Sequence, residues 1–254
     1  MLEALALAPK GIGVREAARA NELDKSAVSR LLDQFVRLGL AEKDAVTRRF
    51  HAGPRLFKLG ATVHSRDTLW LAAEPILRDL VSRFNETCYL TVREGDAIVF
   101  REKIDCSHYV RYVIESSELV PLHAGAGGRA VLSALPPEEL EEVLGRVALV
   151  RLTDLTITDT ERLRRQVRRD RDQGYAVSLG ERSADGSAVA APYVLGNGTT
   201  GGSVVLSCPR ARFDALDFDA VVAAVVGAAR QLSARLGHRH SDVPDEAPVE
   251  AVAP

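Results

Sequence analysis

The chain has 254 residues, of which 46% are hydrophobic, and carries a formal net charge of −2. This length predicts two domains, and the absence of any apolar run near about 18 residues excludes a helical membrane span. The N-terminus lacks the pattern of a secretory signal, and the three cysteines are scattered without a C-x-x-C pair. We therefore expect a soluble, cytoplasmic protein with reduced thiols, no metal site and no cofactor.

The small net charge hides an uneven distribution of charges along the chain. Residues 1–66 contain 12 Lys and Arg against 7 Asp and Glu, whereas the remainder contains 21 against 28. This asymmetry predicts that only the first part meets a polyanion, because the rest would repel one. Phosphate contacts would make the affinity fall steeply with salt.

The first part of the chain has the spacing of a helix-turn-helix. Met1–Ala8 predicts a helical fragment that is short for the first helix of a three-helix domain, so this helix is either clipped or begins upstream. Val14 and Ala18 share one face of a second helix, residues 21–24 break the pattern, and a longer apolar stripe then continues to Gly39. Two helices joined by about four residues are typical of this motif.

Four polar residues on the longer helix are the candidates for contacting DNA. Lys25, Ser26, Ser29 and Arg30 cluster in its first turn and a half, where a recognition helix meets base edges and phosphates. The free N–H groups of the helix N-terminus also favour an anion there. A plain helical hairpin with a solvated face is the alternative.

A predicted hairpin follows this helix and strengthens the DNA-binding interpretation. Leu40–Lys43 and Arg48–Ala52 read as two short strands joined by a polar turn, the order of a winged helix. Arg48 and Arg49 lie where the tip of a wing, or its return strand, crosses phosphates. The alternative is an edge hairpin that uses charge against aggregation.

A helical segment joins this region to the rest of the chain. Pro54–Trp70 predicts a linker helix with a break near Gly60 and a fresh start at Glu74-Pro75. Its apolar residues suit pairing with another chain as well as packing on their own domain, and the sequence does not separate the two.

The rest predicts an α+β layer, with helices packed on an antiparallel sheet. Helices are expected at Ile76–Phe84, from Pro136, from Thr158 to Gly174 and from Asp217 to Leu236. The arginines of the Thr158 helix alternate with acids and indicate a solvated face. About six strands are expected, at Cys88–Arg93, Ala97–Lys103, Tyr109–Ile114, Tyr175–Leu179, Ser187–Tyr193 and Gly202–Ser207.

Several segments, in order, resemble the IclR family of bacterial transcriptional regulators. They are DKSAVSRLLDQFVRLGL, RFHAGPRLFKLG, VPLHAGAGGRAVLSALPPEEL, ITDTERLRRQVRRDRDQGYAV, and GERSADGSAVAAPYV with GGSVVLSCP. The runs P-L-H-A-x-A-x-G-x-A and D-x-G-Y…A-A-P are the specific parts, and the resemblance covers roughly residues 1–237.

The resemblance implies a fold, partners and domain limits. It implies a winged helix-turn-helix over residues 1–53, a linker helix over 54–73 that pairs subunits, and a GAF-like effector domain over 74–237. Residues 238–254 lack periodicity and predict a disordered tail. The expected partners are a palindromic operator in double-stranded DNA, a small carboxylate or aromatic-acid effector, and further copies of the chain in a homodimer or a homotetramer built as a dimer of dimers.

Carried over position by position, the resemblance implies an effector site at Gly125, Ala126, Ser178, Glu181, Ala188, Val205 and Ser207. Amides of the Gly125-Ala126 loop suit a carboxylate, although a tight turn would use glycine equally well. Glu181 either lines the site or caps the loop. Ser178 and Ala188 stand where some members carry an acid and a cysteine, which makes this site less polar.

Two other functions are compatible with the sequence. One is an enzyme acting on a small acid, although no G-x-S-x-G, H-E-x-x-H or Walker A motif is present and the glycine-rich loop lacks a lysine. The other is a ligand-independent DNA-binding protein with a vestigial pocket, which no small acid would stabilise. We expect a non-enzymatic regulator, with no catalytic residues.

Overall fold

The protein is described here by a computed structural model that covers residues 1–111, 114 and 118–238. The chain forms two compact units, Met1–Thr68 and a second that begins at Leu69. Apart from His238, the tail predicted over residues 238–254 lies outside the described residues.

The first unit is a winged helix-turn-helix, as the sequence predicts. Its elements are α1 (Leu2–Ala6), α2 (Val14–Ala20), α3 (Lys25–Arg37), β1 (Ala41–Lys43), β2 (Phe50–Ala52) and α4 (Pro54–His64). Strands β1 and β2 pair antiparallel, and Ile12 adds a bridge to Phe50. Val28, Leu32 and Phe50 are fully buried, so the apolar stripe of α3 faces the core while its polar face stays outside.

The final helix of this unit, α4, leaves most of its apolar surface exposed. It runs without a break through Gly60, contrary to the predicted interruption, and contains no buried residue. Only Leu56 packs partly on the core of the unit, whereas Phe57, Leu59 and Val63 are exposed.

The second unit contains the antiparallel sheet. Its strands are β3 (Thr87–Glu94), β4 (Ala97–Ile104), β5 (Leu119–Pro121), β6 (Ala176–Leu179), β7 (Gly186–Val194) and β8 (Thr200–Pro209), in the spatial order β5-β4-β3-β8-β7-β6. Every neighbouring pair is antiparallel. Its helices are α5 (Thr68–Phe84), α6 (Ala126–Ser133), α7 (Pro137–Arg146), α8 (Thr160–Gln173), α9 (Arg210–Phe213) and α10 (Phe218–Arg235).

Both faces of this sheet are covered, and successive residues of a strand enter different cores. Val204 and Leu206 pack with α5 and α10, whereas Val205 between them packs with α6, α7 and α8. This alternation follows from the two-residue period of a strand. The side of α6 to α8 also contains the cavity described below.

The structure corrects two predicted boundaries. The helix from Thr68 to Phe84 passes through Pro75 without restarting, because the buried residues on both sides of Pro75 pack on the sheet and outweigh one lost hydrogen bond. The break in the linker lies instead after His64, where α4 ends. Trp70, predicted to belong to the linker, is buried in the core of the second unit.

The third predicted strand is also wrong. The described residues of Tyr109–Ile114 adopt no strand, and Tyr109 is almost fully exposed. The sheet position next to β4 is taken by β5, which pairs Leu119–Pro121 with the start of β4. A β-branched and aromatic stretch resembles a strand in sequence, but strand propensity depends strongly on the packing context.

Three further findings limit the kinds of site. No described helix is both long enough and apolar enough to cross a membrane. No group of three or more His, Cys, Asp or Glu in the described part of the chain could hold a metal ion. All three cysteines are free and buried.

Candidate functional site

The four candidate residues of the longer helix lie together on an exposed groove. Lys25, Ser26, Ser29 and Arg30 line it with Asp24 and with Val14 of α2. Lys25 and Arg30 are exposed. The groove therefore presents two cations and a hydroxyl beside the Asp24 carboxylate at the first turn of α3, where a helix in the major groove meets base edges.

The start of α3 is already capped by a carboxylate of the chain. Asp24 accepts hydrogen bonds from the backbone N–H groups of Ser26 (2.7 Å) and Ala27 (3.3 Å) and from the Ser26 hydroxyl (2.6 Å). These bonds, that from the Ser26 side chain first, lower the pKa of Asp24. The anion that these free amides are expected to attract is therefore the chain's own Asp24 carboxylate. An Asp directly before a helical run is an N-cap signal that sequence reasoning missed.

The two arginines of the wing differ. Arg48 is exposed at the end of the β1–β2 turn, which the Asp44 carboxylate closes by accepting from the N–H groups of Val46 and Thr47. Arg49 instead points back into the domain, where its guanidinium donates to the Gly11 carbonyl (2.7 Å) and pairs with a carboxylate of α2. Arg49 is therefore held by its own domain, and Arg48 is the arginine available to a phosphate.

In the second unit, six of the seven candidate effector residues line one cavity of about 50 Å³ between the sheet and the start of α6. They are Gly125, Ala126, Ser178, Ala188, Val205 and Ser207. The wall also contains the apolar side chains of Ile98, Phe100 and Ile114. Ser178 and Ser207 add hydroxyl groups on β6 and β8, so the cavity suits a small molecule with one polar group.

Two hydroxyls lie on the face of the sheet that bounds the cavity. Ser178 and Ser207 are the antiparallel partners of Ala188, which packs with the cluster on that face. Ser207 Oγ donates to the Ser187 carbonyl at 3.2 Å, whereas the Ser187 side chain lies on the opposite face with Val189. Ser178 and Ser207 are therefore the strand hydroxyls that a ligand in the cavity can reach.

The loop before α6 brings backbone amides to the cavity. Gly125 is the N-cap of α6 and has φ of +87°, a conformation that side chains disfavour. Gly128 lies against the Leu122 carbonyl, where an added Cβ would approach the oxygen to 2.4 Å. The glycines thus allow the loop to turn tightly, and the first N–H groups of α6 lack helical partners.

A charged residue that the sequence did not single out also lines the cavity. Arg182, in the β6–β7 connection, donates to both carboxylate oxygens of Glu118 at 3.0 Å. Its guanidinium carbon lies 5.4 Å from the centre of the Phe100 ring. The two partners come from segments far apart in the sequence, so no local pattern predicts the pair.

Glu181 lies behind the loop and does not line this cavity. Its carboxylate pairs with Arg129 of α6 at 3.0 Å. Arg129 is fully buried, also lies 3.4 Å from Asp170 of α8, and donates to the Val177 carbonyl. Burial raises the pKa values of Glu181 and Asp170, although the Arg129 charge opposes both shifts. Of the two roles predicted for Glu181, it does not line this cavity, and its role as a cap of the loop stays a prediction.

Comparisons with known proteins agree with this architecture. Residues 61–234 match the model for the bacterial transcriptional regulator IclR C-terminal domain, and residues 1–45 match the IclR helix-turn-helix domain. The HTH-type transcriptional regulator BhcR of Paracoccus denitrificans is 31% identical over 88% of this chain and 80% of its own length.

Two solved structures have the same fold. The Thermotoga maritima IclR structure matches with a TM-score of 0.79 and 25% identity, covering 93% of this chain and 96% of that one. An IclR homologue from Microbacterium hydrocarbonoxydans, solved with 4-hydroxybenzoate, matches with a TM-score of 0.78 and 23% identity, covering 92% and 95%. With a family model matched over more than half of its length, this chain belongs to the IclR family of bacterial transcriptional regulators.

Proposed function

We propose that the protein binds a specific DNA operator through the α3 groove and that a small organic acid in the C-terminal cavity sets its operator affinity. The single observation that carries the DNA-binding part is the groove where exposed Lys25 and Arg30 flank Ser29. An effector would act by binding one arrangement of the protein better than another, and could shift operator affinity only by that difference.

The effector part is supported by the cavity. It combines apolar side chains with hydroxyls, an arginine and the N-terminal amides of α6, and these polar groups suit a carboxylate. The Microbacterium homologue, a protein of the same fold, was solved with 4-hydroxybenzoate, an aromatic acid. The identity of the acid is argued separately below.

We further propose that the protein works as a homodimer or a dimer of dimers. Helix α4 exposes Phe57, Leu59 and Val63 and buries none of its own residues, which suits pairing with a second copy. Paired winged helices would read a roughly palindromic site whose half-site spacing is set by the dimer. A regulator of bacterial operators would act in the cytoplasm, where the chromosome lies.

An enzymatic role is the less supported alternative. Burial raises the pKa values of the Cys88 and Cys208 thiols, so both stay protonated and poorly nucleophilic at neutral pH. The relatives named above are regulators. Turnover of a small acid by the pure protein would favour the enzyme instead.

The DNA-binding part is tested by selecting duplexes from a random library with the full-length protein. We expect enrichment of a near-palindromic sequence that binds far more tightly than its scrambled version, with affinity falling steeply as salt rises. Failure to enrich any sequence would contradict sequence-specific binding.

The effector part is tested by thermal unfolding with a panel of small carboxylic acids and their neutral amides. A ligand that binds only the folded state must raise the unfolding temperature. We expect at least one acid, but not its amide, to do so and to change binding to the selected duplex. If no acid stabilises the protein, the ligand-independent regulator with a vestigial pocket is favoured.

A further inference from the structure

The cavity contains one cation, and that cation is held by an acid of the chain. Of the described residues that line the cavity, Arg182 alone carries a charge. Its side chain is 23% exposed, while that of its partner Glu118 is 47% exposed. The ion pair therefore lies at the edge of the cavity, with the acid on the side of the solvent.

Loss of the Arg182 charge would cost more free energy for a ligand carboxylate inside the cavity than for the half-exposed carboxylate of Glu118. A carboxylate taken from water into a mostly apolar cavity is unstable unless a charge and hydrogen bonds compensate it. Glu118 is half-exposed and would regain water if the pair opened, and pairs of this kind contribute little to stability. Exchange of the Arg182 partner from Glu118 to a bound carboxylate is therefore energetically accessible.

A hydroxyl group stands near Arg182 on the cavity side of the sheet. An ideal Cβ on Gly125 would lie 3.4 Å from Arg182 Cβ and 3.8 Å from Ser178 Oγ, so both side chains begin next to the loop before α6. A carboxylate oxygen accepts from a hydroxyl, so one anionic group can use both Arg182 and Ser178.

We propose that Glu118 is an internal competitor for the effector: it occupies Arg182 in the empty cavity, and the carboxylate of a short monocarboxylic acid displaces it. This inference rests on the effector part of the proposed function and narrows it. Arg182 and Ser178 bind the carboxylate, and Glu118 sets how tightly it binds.

The size and the walls of the cavity define the acid further. Its volume of about 50 Å³ is well below the ~150 Å³ known to admit benzene, so a short aliphatic chain fits where an aromatic ring requires the walls to move. Besides Arg182, the described residues of the wall offer no cation, and Ile98, Phe100 and Ile114 are apolar. A dicarboxylate would leave its other charge uncompensated against these side chains.

The test is calorimetric titration of the full-length chain with acetate, propionate, pyruvate, succinate and 4-hydroxybenzoate, and with propionamide as the neutral counterpart. The variants are Glu118→Gln, Arg182→Gln, Arg182→Lys and the double Glu118→Gln/Arg182→Gln. The matched control is Glu161→Gln, an exposed acid of α8 that pairs with Arg164 away from the cavity. Cooperative thermal unfolding of each variant confirms that it is folded.

We expect a short monocarboxylate to bind most tightly. Glu118→Gln should tighten it about two- to fivefold, the contribution typical of a half-exposed ion pair, while Glu161→Gln leaves it unchanged. Arg182→Gln should weaken it at least about tenfold, as expected for loss of a charge-assisted bond, and Arg182→Lys less. In the absence of Arg182, Glu118→Gln should have no effect, because the competition needs the arginine.

The opposite results separate this inference from the proposed function. Unchanged or weaker carboxylate binding by Glu118→Gln overturns the internal competitor while the effector function stands. Tightest binding of succinate or 4-hydroxybenzoate overturns the assignment to short monocarboxylates. Equal tightening of propionamide shows that Glu118 does not compete for charge. Absence of binding by every acid overturns the proposed effector function itself, and this inference with it.

Discussion

Helices α3 and α6 both begin at a candidate site, but their first turns are completed in opposite ways. At α3 the Asp24 carboxylate accepts from two backbone N–H groups, and the functional cations stand outside in water. At α6 the N-cap is Gly125, which has no side chain, and the charges of Arg129 and Glu181 are buried behind it. The N-terminus of α3 is therefore capped by a side chain, whereas the N-terminus of α6 is not.

This difference predicts how mutations in the two sites behave. Side chains of the α3 groove contact mainly solvent, so their removal should change binding with little effect on stability. The charges behind α6 compensate one another in the interior, so removing one leaves the others uncompensated. Function and stability should therefore separate in the first unit and remain coupled in the second.

The largest effect is expected for Arg129→Met. It leaves Asp170 and Glu181 buried without their shared cation, and loss of one partner from a buried ion pair typically costs about 3–5 kcal/mol. Urea unfolding of the second unit, followed by its buried Trp70, measures the change. Arg164→Met is the control, because Arg164 is paired with Glu141 on the surface and should cause no comparable loss. Equal unfolding midpoints for the two variants would show that the buried charges are not coupled to stability.

The sequence could not predict this cluster, although it did predict the elements that carry it. Arg129 stands in the small-residue run of α6, where an arginine normally reaches solvent. Its partners Asp170 and Glu181 lie on α8 and beyond β6, and only the packing of α6 between them buries all three. Periodicity identifies which face of a helix is apolar but not which distant charges meet beneath it.

The next effect is the pH dependence of stability. Burial raises the pKa values of Asp170 and Glu181, so between their ordinary and raised values the folded state binds more protons than the unfolded state. The contribution of these two groups to stability is therefore complete at low pH and is lost as pH rises through the raised values. Other carboxyls act in the opposite direction, as where a hydrogen bond from Arg146 lowers the pKa of Asp96.

A comparison of variants isolates this contribution. Urea unfolding of wild type and Glu181→Gln from pH 4 to pH 8 should show that the variant lacks part of the decline with rising pH. Glu161→Gln, which replaces an exposed carboxyl on α8, should keep the wild-type profile. Parallel profiles for wild type and Glu181→Gln would mean that folding does not raise the pKa of Glu181.

In the α3 groove, Arg30→Ala should weaken binding to the selected duplex by about 1–3 kcal/mol, the range for an arginine that contacts a base. Binding to a scrambled duplex should change less, and the unfolding midpoint should stay the same because Arg30 is exposed. The control is Arg37→Ala at the other end of α3. If Arg37→Ala reduces specific binding as much as Arg30→Ala, the first turn of α3 does not read the bases.

This groove was more predictable than the cavity, for a physical reason. Its residues lie within two turns of one helix, and the 3.6-residue period places them on a common face whatever the rest of the chain does. The cavity is assembled from α6, four strands and the β6–β7 connection, so Arg182 and Ser178 become neighbours only after the sheet has formed. The resemblance supplied six positions on its wall but not Arg182.

The smallest effect separates the two wing arginines. Arg48→Ala should weaken all duplexes alike and reduce the salt dependence of binding by about one phosphate contact. The φ of +60° at this position is as unfavourable for alanine as for arginine, so the substitution should not change the turn.

Arg49→Ala should leave the salt dependence unchanged but lower the stability of the first unit, because the Arg49 guanidinium bonds to Gly11 and Glu16. Fluorescence anisotropy across a salt series measures the first effect and thermal unfolding the second. Exchange of the two phenotypes would mean that Arg49 leaves its partners when DNA binds, and that the wing reorganises on the duplex.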